Sequence, residues 1–333
     1  MYQLITLDFG CYSFHDGPPI RLCLKLIYFD EFFVAMIISM EQKNYGGIEA
    51  GGTKFICAVG TSPQEITEHI QIATTTPSET LDQVIDFFKR QPRLEAVGIA
   101  SFGPLGLNKD SSTYGYITTT PKEGWAQTNL VGMMSEAFDV PIVLETDVNA
   151  AALAEHRYGA GKGFKSLAYM TVGTGIGIGC VIDDQILSGG LTHTEMGHMQ
   201  LPLRPGDTDS ISACPYHNNC LEGLASGTAL KLRSGVAAES LNDSRFWELE
   251  AYYLSLGVVN VITNIMPMKI VVGGSVMNHS GLLDAVRLQV PRILNGYLQI
   301  PEILEKIDGY ILSPQLGSMS GVSGALALAL NHK

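Results

Sequence analysis

Two stretches of this chain share one grammar: a short apolar strand, a glycine turn, and a second apolar strand. The first is "YGGIEAGGTKFICAVG" (45–60) and the second "SLAYMTVGTGIGIGCVI" (166–182). Each sets two strand-like runs on either side of a Gly-Thr bend, the pattern of a β-hairpin. One opens each half of the chain, and an alternation of helices and strands follows both. After the first, Leu81, Val84, Ile85 and Phe88 mark one face of a helix begun near Ser78. "LEAVGIASFGPL" then reads as a buried strand, "TNLVGMMSEAF" as a helix, "VPIVLET" as a strand and Ala-rich "DVNAAALAEHRYG" as a helix. After the second come a long apolar helix (Tyr252–Met266), the strand "KIVVGGSV", a helix at "LLDAVRLQV", the strand "GYILSPQ" and a closing helix near Ser320. The alternation predicts an α/β architecture, and its restart predicts a duplicated domain instead of one doubly wound sheet. With 333 residues there is chain enough for two domains.

The glycine turns also bear on chemistry. "EAGGTK" is no Walker A loop, because its glycines stand between two strands and no helix follows. "TVGTGIGIG" lacks the spacing of a dinucleotide-binding turn. Read as turns alone, both are tight hairpins that need positive φ. Read as a pair, the N–H groups of Gly51, Gly52, Gly173 and Gly175 and the hydroxyls of Thr53 and Thr174 can grip phosphate oxygens from opposite sides. Lys54 adds charge. "VVGGSVM" supplies a third strand end, where Gly273, Gly274 and Ser275 suit close approach of an adenosine.

The net charge of −12 and pI near 5.1 make nucleic acid a poor partner, while ATP remains open because backbone N–H groups and a divalent ion can hold it. The Tyr252–Met266 stretch is too short for a membrane span and carries Asn260 and Asn264, so it reads as a buried helix. The six cysteines are scattered, which argues against a disulfide framework. Residues 1–39 lack a basic n-region and carry Asp8 early, so they make a poor signal peptide. Met40 is the expected start, with a leader or disordered extension upstream, and residues 1–44 show no helix-turn-helix.

Two sites stand out by residue type. Asp147 precedes the Ala-rich helix, where it is either an N-cap or a general base for a hydroxyl attacking a phosphate. "CPYHNNC" (214–220) sets Cys214, His217 and Cys220 at metal-ligand spacing, and His198 of "HTEMGHM" lies sixteen residues before Cys214. The four make a Cys₂His₂ set, which implies a closed, structural Zn²⁺ site. His193 reads as an ordinary hydrogen-bonded histidine.

"GGIEAGGTKF", "ASFGPL", "YGYITTTPKEGW", "TDVNAAALAE", "TVGTGIGIG", "EMGHM" and "CPYHNNCLEGLASG" stand in the order of the ROK family of sugar kinases and repressors. From about Tyr45 onward the chain resembles that family, and within it the bacterial fructokinase branch. The resemblance implies an actin-like (ribonuclease H-like) ATPase fold of two α/β domains with a cleft between them. It implies a domain of residues 44–146 plus 320–333, a second of 147–319 with the zinc knuckle, and an extension over 1–43. It further implies a cytoplasmic homodimer that phosphorylates a hexose, fructose at its 6-hydroxyl, with ATP and Mg²⁺. Asp147 would be the base, and Gly51–Lys54 with Gly173–Gly175 the phosphate clamps. His198 would serve both metal and sugar, and Gly103, Glu195 and Glu222 would line the sugar. The chain departs from relatives at Glu49, where many have Asp, and at Thr146, where glucose-phosphorylating members often have Asn. Mannose, glucose or an N-acyl amino sugar are the alternative substrates; a sugar-responsive repressor would need the missing helix-turn-helix.

Overall fold

A computed structural model of the protein describes residues 27–29, 32–34, 43–189, 191–207 and 211–332. Strands β1 (Ile27–Phe29) and β2 (Phe32–Val34) pair antiparallel within a unit of their own, residues 1–43. Apart from these six residues and those from Lys43 on, the expected leader and the absence of a helix-turn-helix over 1–44 lie outside the described residues.

The second unit, 44–333, holds two five-stranded sheets. The first contains β3 (Asn44–Ala50), β4 (Lys54–Ser62), β5 (Glu65–Ala73), β6 (Leu94–Ser101) and β9 (Ile142–Thr146), in the order β5-β4-β3-β6-β9. β3, β4 and β5 form an antiparallel meander, and β6 and β9 run parallel to β3. Helix α1 (Pro77–Lys89), the small ladder of β7 (Tyr116–Ile117) and β8 (Thr128–Asn129), and α2 (Leu130–Ala137) make the connections. α1 starts where Thr76 caps Glu79 N and Pro77 presets the first turn, and it buries Leu81, Val84, Phe87 and Phe88.

α3 (Asp147–Tyr158) leads to the second sheet: β10 (Ser166–Val172), β11 (Ile176–Ile182), β12 (Gln185–Ile186), β13 (Lys269–Gly273) and β14 (Ile311–Leu312). Its order, β12-β11-β10-β13-β14, repeats the first sheet strand for strand, with the same meander and the same two parallel additions. The duplication expected from the two glycine hairpins is therefore present. α4 (Leu221–Ala225), α5 (Gly227–Ser234) and α6 (Ser244–Ile265) precede β13; α7 (Leu282–Leu294), α8 (Pro301–Leu304) and α9 (Ile307–Tyr310) precede β14. α6 includes the expected apolar helix and buries Trp247, Tyr253, Leu254, Val258 and Ile262 against the core. Among the described residues no helix is long and apolar enough to cross a membrane.

α10 (Ser320–Leu330) closes the chain on the first sheet, packing on β3, β4 and β6 and also on α3, which lies against β10 and β11. Small residues permit the approach. A Cβ on Gly98 of β6 would land on Ala325 O, and one on Gly324 would land on Ala150 O of α3. The apolar cluster of Ala100, Ala150, Leu153, Tyr169, Val271, Ala325 and Leu328 draws on both sheets and both helices. That shared layer carries Asp147 at the start of α3.

Two sequence readings need adjustment. β5 went unread because it is an edge strand, mostly exposed and polar, with Glu65, Glu68 and His69 along it. "GYILSPQ" contributes only Ile311 and Leu312 to strand; Gly309 and Tyr310 end α9, and residues 313–315 are loop.

Candidate functional site

β9 ends at Thr146, whose Oγ1 accepts the Asn149 N–H at 3.2 Å and caps α3. The N-cap reading of Asp147 is thereby corrected: Asp147 is the first helical residue, and its Oδ1 accepts the Val148 N–H at 2.8 Å. Behind it, buried Glu145 accepts from Thr146 N (2.8 Å) and Asn149 Nδ2 (3.0 Å), fixing the strand-to-helix bend. Burial pushes the largely buried Asp147 carboxyl up to about 6. The Val148 N–H opposes the shift, the charge of Glu195 adds to it, and His193 opposes it.

Glu49, at the end of β3, is pushed up to about 7 by burial and then by the charge of Asp147, against the pull of Lys54. Its Oε2 is buried without a hydrogen-bond partner. Room for this carboxylate comes from Gly321 of α10, where a Cβ would collide with it.

The first glycine turn follows Glu49 closely in sequence, and just past the second a Cβ on Gly177 would strike Val148, the residue after Asp147. In the first, Gly51 N–H donates to Lys54 O at 3.0 Å; in the second, Gly173 N–H donates to Gly175 O at 2.9 Å. A threonine from elsewhere braces each: Thr74 Oγ1 donates to Gly51 O and Thr228 Oγ1 to Thr174 O, both at 2.7 Å. Gly52, Thr53, Lys54 and Thr174 face solvent. The expected positive φ is not found at Gly51, Gly52, Gly173 or Gly175. Close approach explains glycine at 175, where a Cβ would lie 2.5 Å from Glu222 Oε2. Lys54 Nζ donates to Gln71 Oε1 at 3.2 Å, which holds it along the β4–β5 edge. At the third strand end Gly274 does take positive φ, +98°, because a Cβ there would strike the Val172 backbone. Gly273 packs against Pro314 and Tyr169, and Ser275 Oγ stands 3.9 Å from where a Gly173 Cβ would sit. Gly273, Gly274 and Ser275 thus gather at the second turn.

His198, on a 3₁₀ turn (Met196–His198), meets the cysteine segment. The ligand atoms of His198, Cys214, His217 and Cys220 all lie within 4.8 Å of one another. Cys214 Sγ is 3.8 Å from His198 Nδ1 and 3.5 Å from His217 Nδ1, and Cys220 Sγ is 3.7 Å from His198 Nδ1. With Zn–S near 2.3 Å and Zn–N near 2.05 Å, the S···N edge of a regular tetrahedron is about 3.6 Å, so this donor set fits Zn²⁺. Both histidines turn Nδ1 inward, which leaves Nε2 of His198 for another partner. The loop is held by Leu201 N–H to Asn219 O and Leu221 N–H to Met199 O, both 2.9 Å. Two residues past Cys220, Glu222 Oε2 accepts the Ile176 N–H at 3.0 Å, tying the knuckle to the second glycine turn.

His193, read from the sequence as an ordinary hydrogen-bonded histidine, is hydrogen-bonded to a loop of the first sheet. It is buried and faces Gly103, Leu105 and Glu195. The partner nearest in fold, Leu105, is 88 positions away, so no local spacing announces the contact.

A model of the ROK family matches residues 45–332. A fructokinase of Pediococcus pentosaceus is 44% identical over 85% of this chain and 96% of its own length. One of Zymomonas mobilis is 44% identical over 87% of this chain and 97% of its own. The crystal structure of a ROK family glucokinase from Streptomyces griseus, in complex with glucose and AMPPNP, matches with a TM-score of 0.70 and 25% identity, covering 87% of this chain and all of that one (100%).

Proposed function

The chain belongs to the ROK family, and on that premise we propose that it transfers the γ-phosphate of ATP to the 6-hydroxyl of D-fructose, with Asp147 as general base. The observation that carries the reading is the state of Asp147: Thr146 has taken over the cap, and the carboxyl, raised to about 6, lies in the field of Glu195 and His193. A base so poised is charged at neutral pH yet basic enough to take a hydroxyl proton.

In the proposed reaction Asp147 accepts the proton of the 6-hydroxyl as that oxygen attacks the γ-phosphorus. The new O–P bond forms as the bridge to the β-phosphate breaks and ADP leaves with the bond's electrons. The turns Gly51–Lys54 and Gly173–Gly175 receive the phosphate oxygens: the N–H groups of Gly51 and Gly173 close the turns, and the Thr53 and Thr174 hydroxyls and Lys54 face the phosphates. Gly273, Gly274 and Ser275 receive the adenosine. Mg²⁺, bound with ATP, would supply positive charge to offset that of the phosphate oxygens. Glu49, with its buried unpartnered oxygen, and Asp147 are the carboxylates that would help hold it. Gly103, Glu195, His198 Nε2 and Glu222 hold the sugar. The zinc ligands keep that wall in shape and take no part in the chemistry. The reading also keeps the division into 44–146 plus 320–333 and 147–319, a homodimer, and a cytoplasmic setting where ATP and free hexose meet. Phosphorus NMR of the product tests the regiochemistry: a 6-phosphate supports the assignment, and a 1-phosphate removes it.

Two further outcomes are expected. The folded-state value of Asp147 lies above its ordinary 3.8, so protonation as pH falls through about 6 removes the base. kcat/KM for the sugar should fall about tenfold per pH unit below that point and level off above it; rates from about pH 5 to about pH 8 check this. Gly175→Ala should displace the Glu222 carboxylate and raise the KM for ATP about tenfold, with little change in Tm. Steady-state kinetics and a melting curve measure both.

A further inference from the structure

His193 sits buried, 7% exposed, in a segment where its neighbour Leu191 is 91% exposed. Both ring nitrogens are engaged. Nε2 accepts the Leu105 N–H at 3.1 Å; Nδ1 is 3.3 Å from Thr194 O and 3.4 Å from Glu195 Oε1. A backbone donor on Nε2 selects the neutral tautomer with its proton on Nδ1, directed at the carbonyl and the carboxylate. One residue earlier, Thr192 Oγ1 donates to Leu105 O at 3.1 Å. Consecutive side chains therefore bind both polar backbone groups of Leu105.

Leu105 lies on the loop that leaves β6, two residues after Gly103. A Cβ on Gly103 would stand 3.4 Å from His193 Nε2, so glycine there admits the ring. On the other side, Thr192 and His193 begin the segment that runs through Glu195 to His198. The result is a splice between the first sheet's loop and the zinc-braced wall, beside Asp147. A splice alone would need only Thr192 and Nε2. Nδ1 has a second target: the Glu195 side chain, 46% exposed and so open to a ligand.

We propose that His193 is a positioning residue for sugar binding: its Nε2 fastens the wall to the loop after β6, and its Nδ1–H aims the Glu195 carboxylate at a sugar hydroxyl. The role rests on the kinase reading above. Two substitutions separate its halves. Gln carries an acceptor near the Nε2 position and nothing near Nδ1; Asn carries a donor near Nδ1 and nothing near Nε2.

Fructose affinity is measured by calorimetry without nucleotide, alongside Tm and the KM for ATP. His193→Gln should keep Tm near wild type and the KM for ATP unchanged, while weakening fructose binding about tenfold. His193→Asn should lower Tm but hold fructose binding within about threefold of wild type. Wild-type fructose affinity in His193→Gln would overturn the proposal. So would a loss of fructose and ATP binding in both variants that simply tracks lost Tm. Failure of the wild-type protein to bind any hexose would remove the kinase reading and this inference together, a result distinct from either.

Discussion

Asp147→Asn is expected to lower kcat by about 10³-fold while leaving the KM for ATP within about twofold. The fold should survive. Thr146, not Asp147, caps α3, and the Asn side-chain oxygen can still accept the Val148 N–H. Stability should move the other way from activity. The folded-state value near 6 exceeds the ordinary 3.8, so the folded protein binds this proton more tightly than the unfolded chain does. Above about pH 6 the folded protein must hold a charge that burial disfavours, and its stability is lower there than below pH 4 by that linkage. A neutral asparagine lifts the penalty, and Tm at neutral pH should equal or exceed wild type. A variant within tenfold of wild-type kcat removes the general base from the account. A variant that loses Tm and activity together makes Asp147 a structural residue.

The second large effect is expected at the metal centre. Cys214→Ser or Cys220→Ser should abolish stoichiometric Zn²⁺ in elemental analysis, lower Tm by about 10 °C and weaken fructose binding more than tenfold. A strong chelator should do the same to the wild-type protein. The ligands come from two segments, Met196–His198 and 214–220, that pair through only a few backbone bonds. A cation bound by the folded form alone stabilises that pairing by mass action. The damage should stop short of unfolding, because the core around α6 and the second sheet draws on many residues besides Leu201, Leu221 and Leu224 beside the knuckle. Through Glu222 and Ile176 it should also reach the second glycine turn and raise the KM for ATP. Cys57→Ser is the control. Cys57 is buried in β4, burial pushes its thiol well up, and it has no place in the ligand set. That variant should keep its zinc and lose about 1–2 kcal/mol for burying a hydroxyl. A melting curve unmoved by chelation would dismiss the four-ligand site.

The parts legible in the sequence were those whose causes are local. The strands around Gly51–Lys54 and Gly173–Gly175 announce themselves by apolar runs on either side of glycine, and both hairpins formed. The Cys₂His₂ cluster is readable because three of its residues fall within seven positions and His198 is the near candidate for the fourth. What stayed hidden depends on distant partners. Glycine at 175 answers to Glu222, forty-seven positions away, and not to its own φ. Asp147 looked like a cap because a helix-start aspartate usually is one; only the Oγ1 of Thr146 at 3.2 Å from Asn149 N frees it. β5 alternates Ile66, Ile70 and Ile72 with polar residues, but Glu68 interrupts that face on a mostly exposed edge, and His193 takes its meaning from a loop in the other sheet.

The most direct measurement is ADP release from Mg-ATP by the intact protein across fructose, mannose, glucose and N-acetylated amino sugars, repeated without Mg²⁺. Fructose should give the highest kcat/KM, and omission of Mg²⁺ should abolish turnover. ADP release that no hexose accelerates, or that another sugar accelerates more than fructose, would contradict the account.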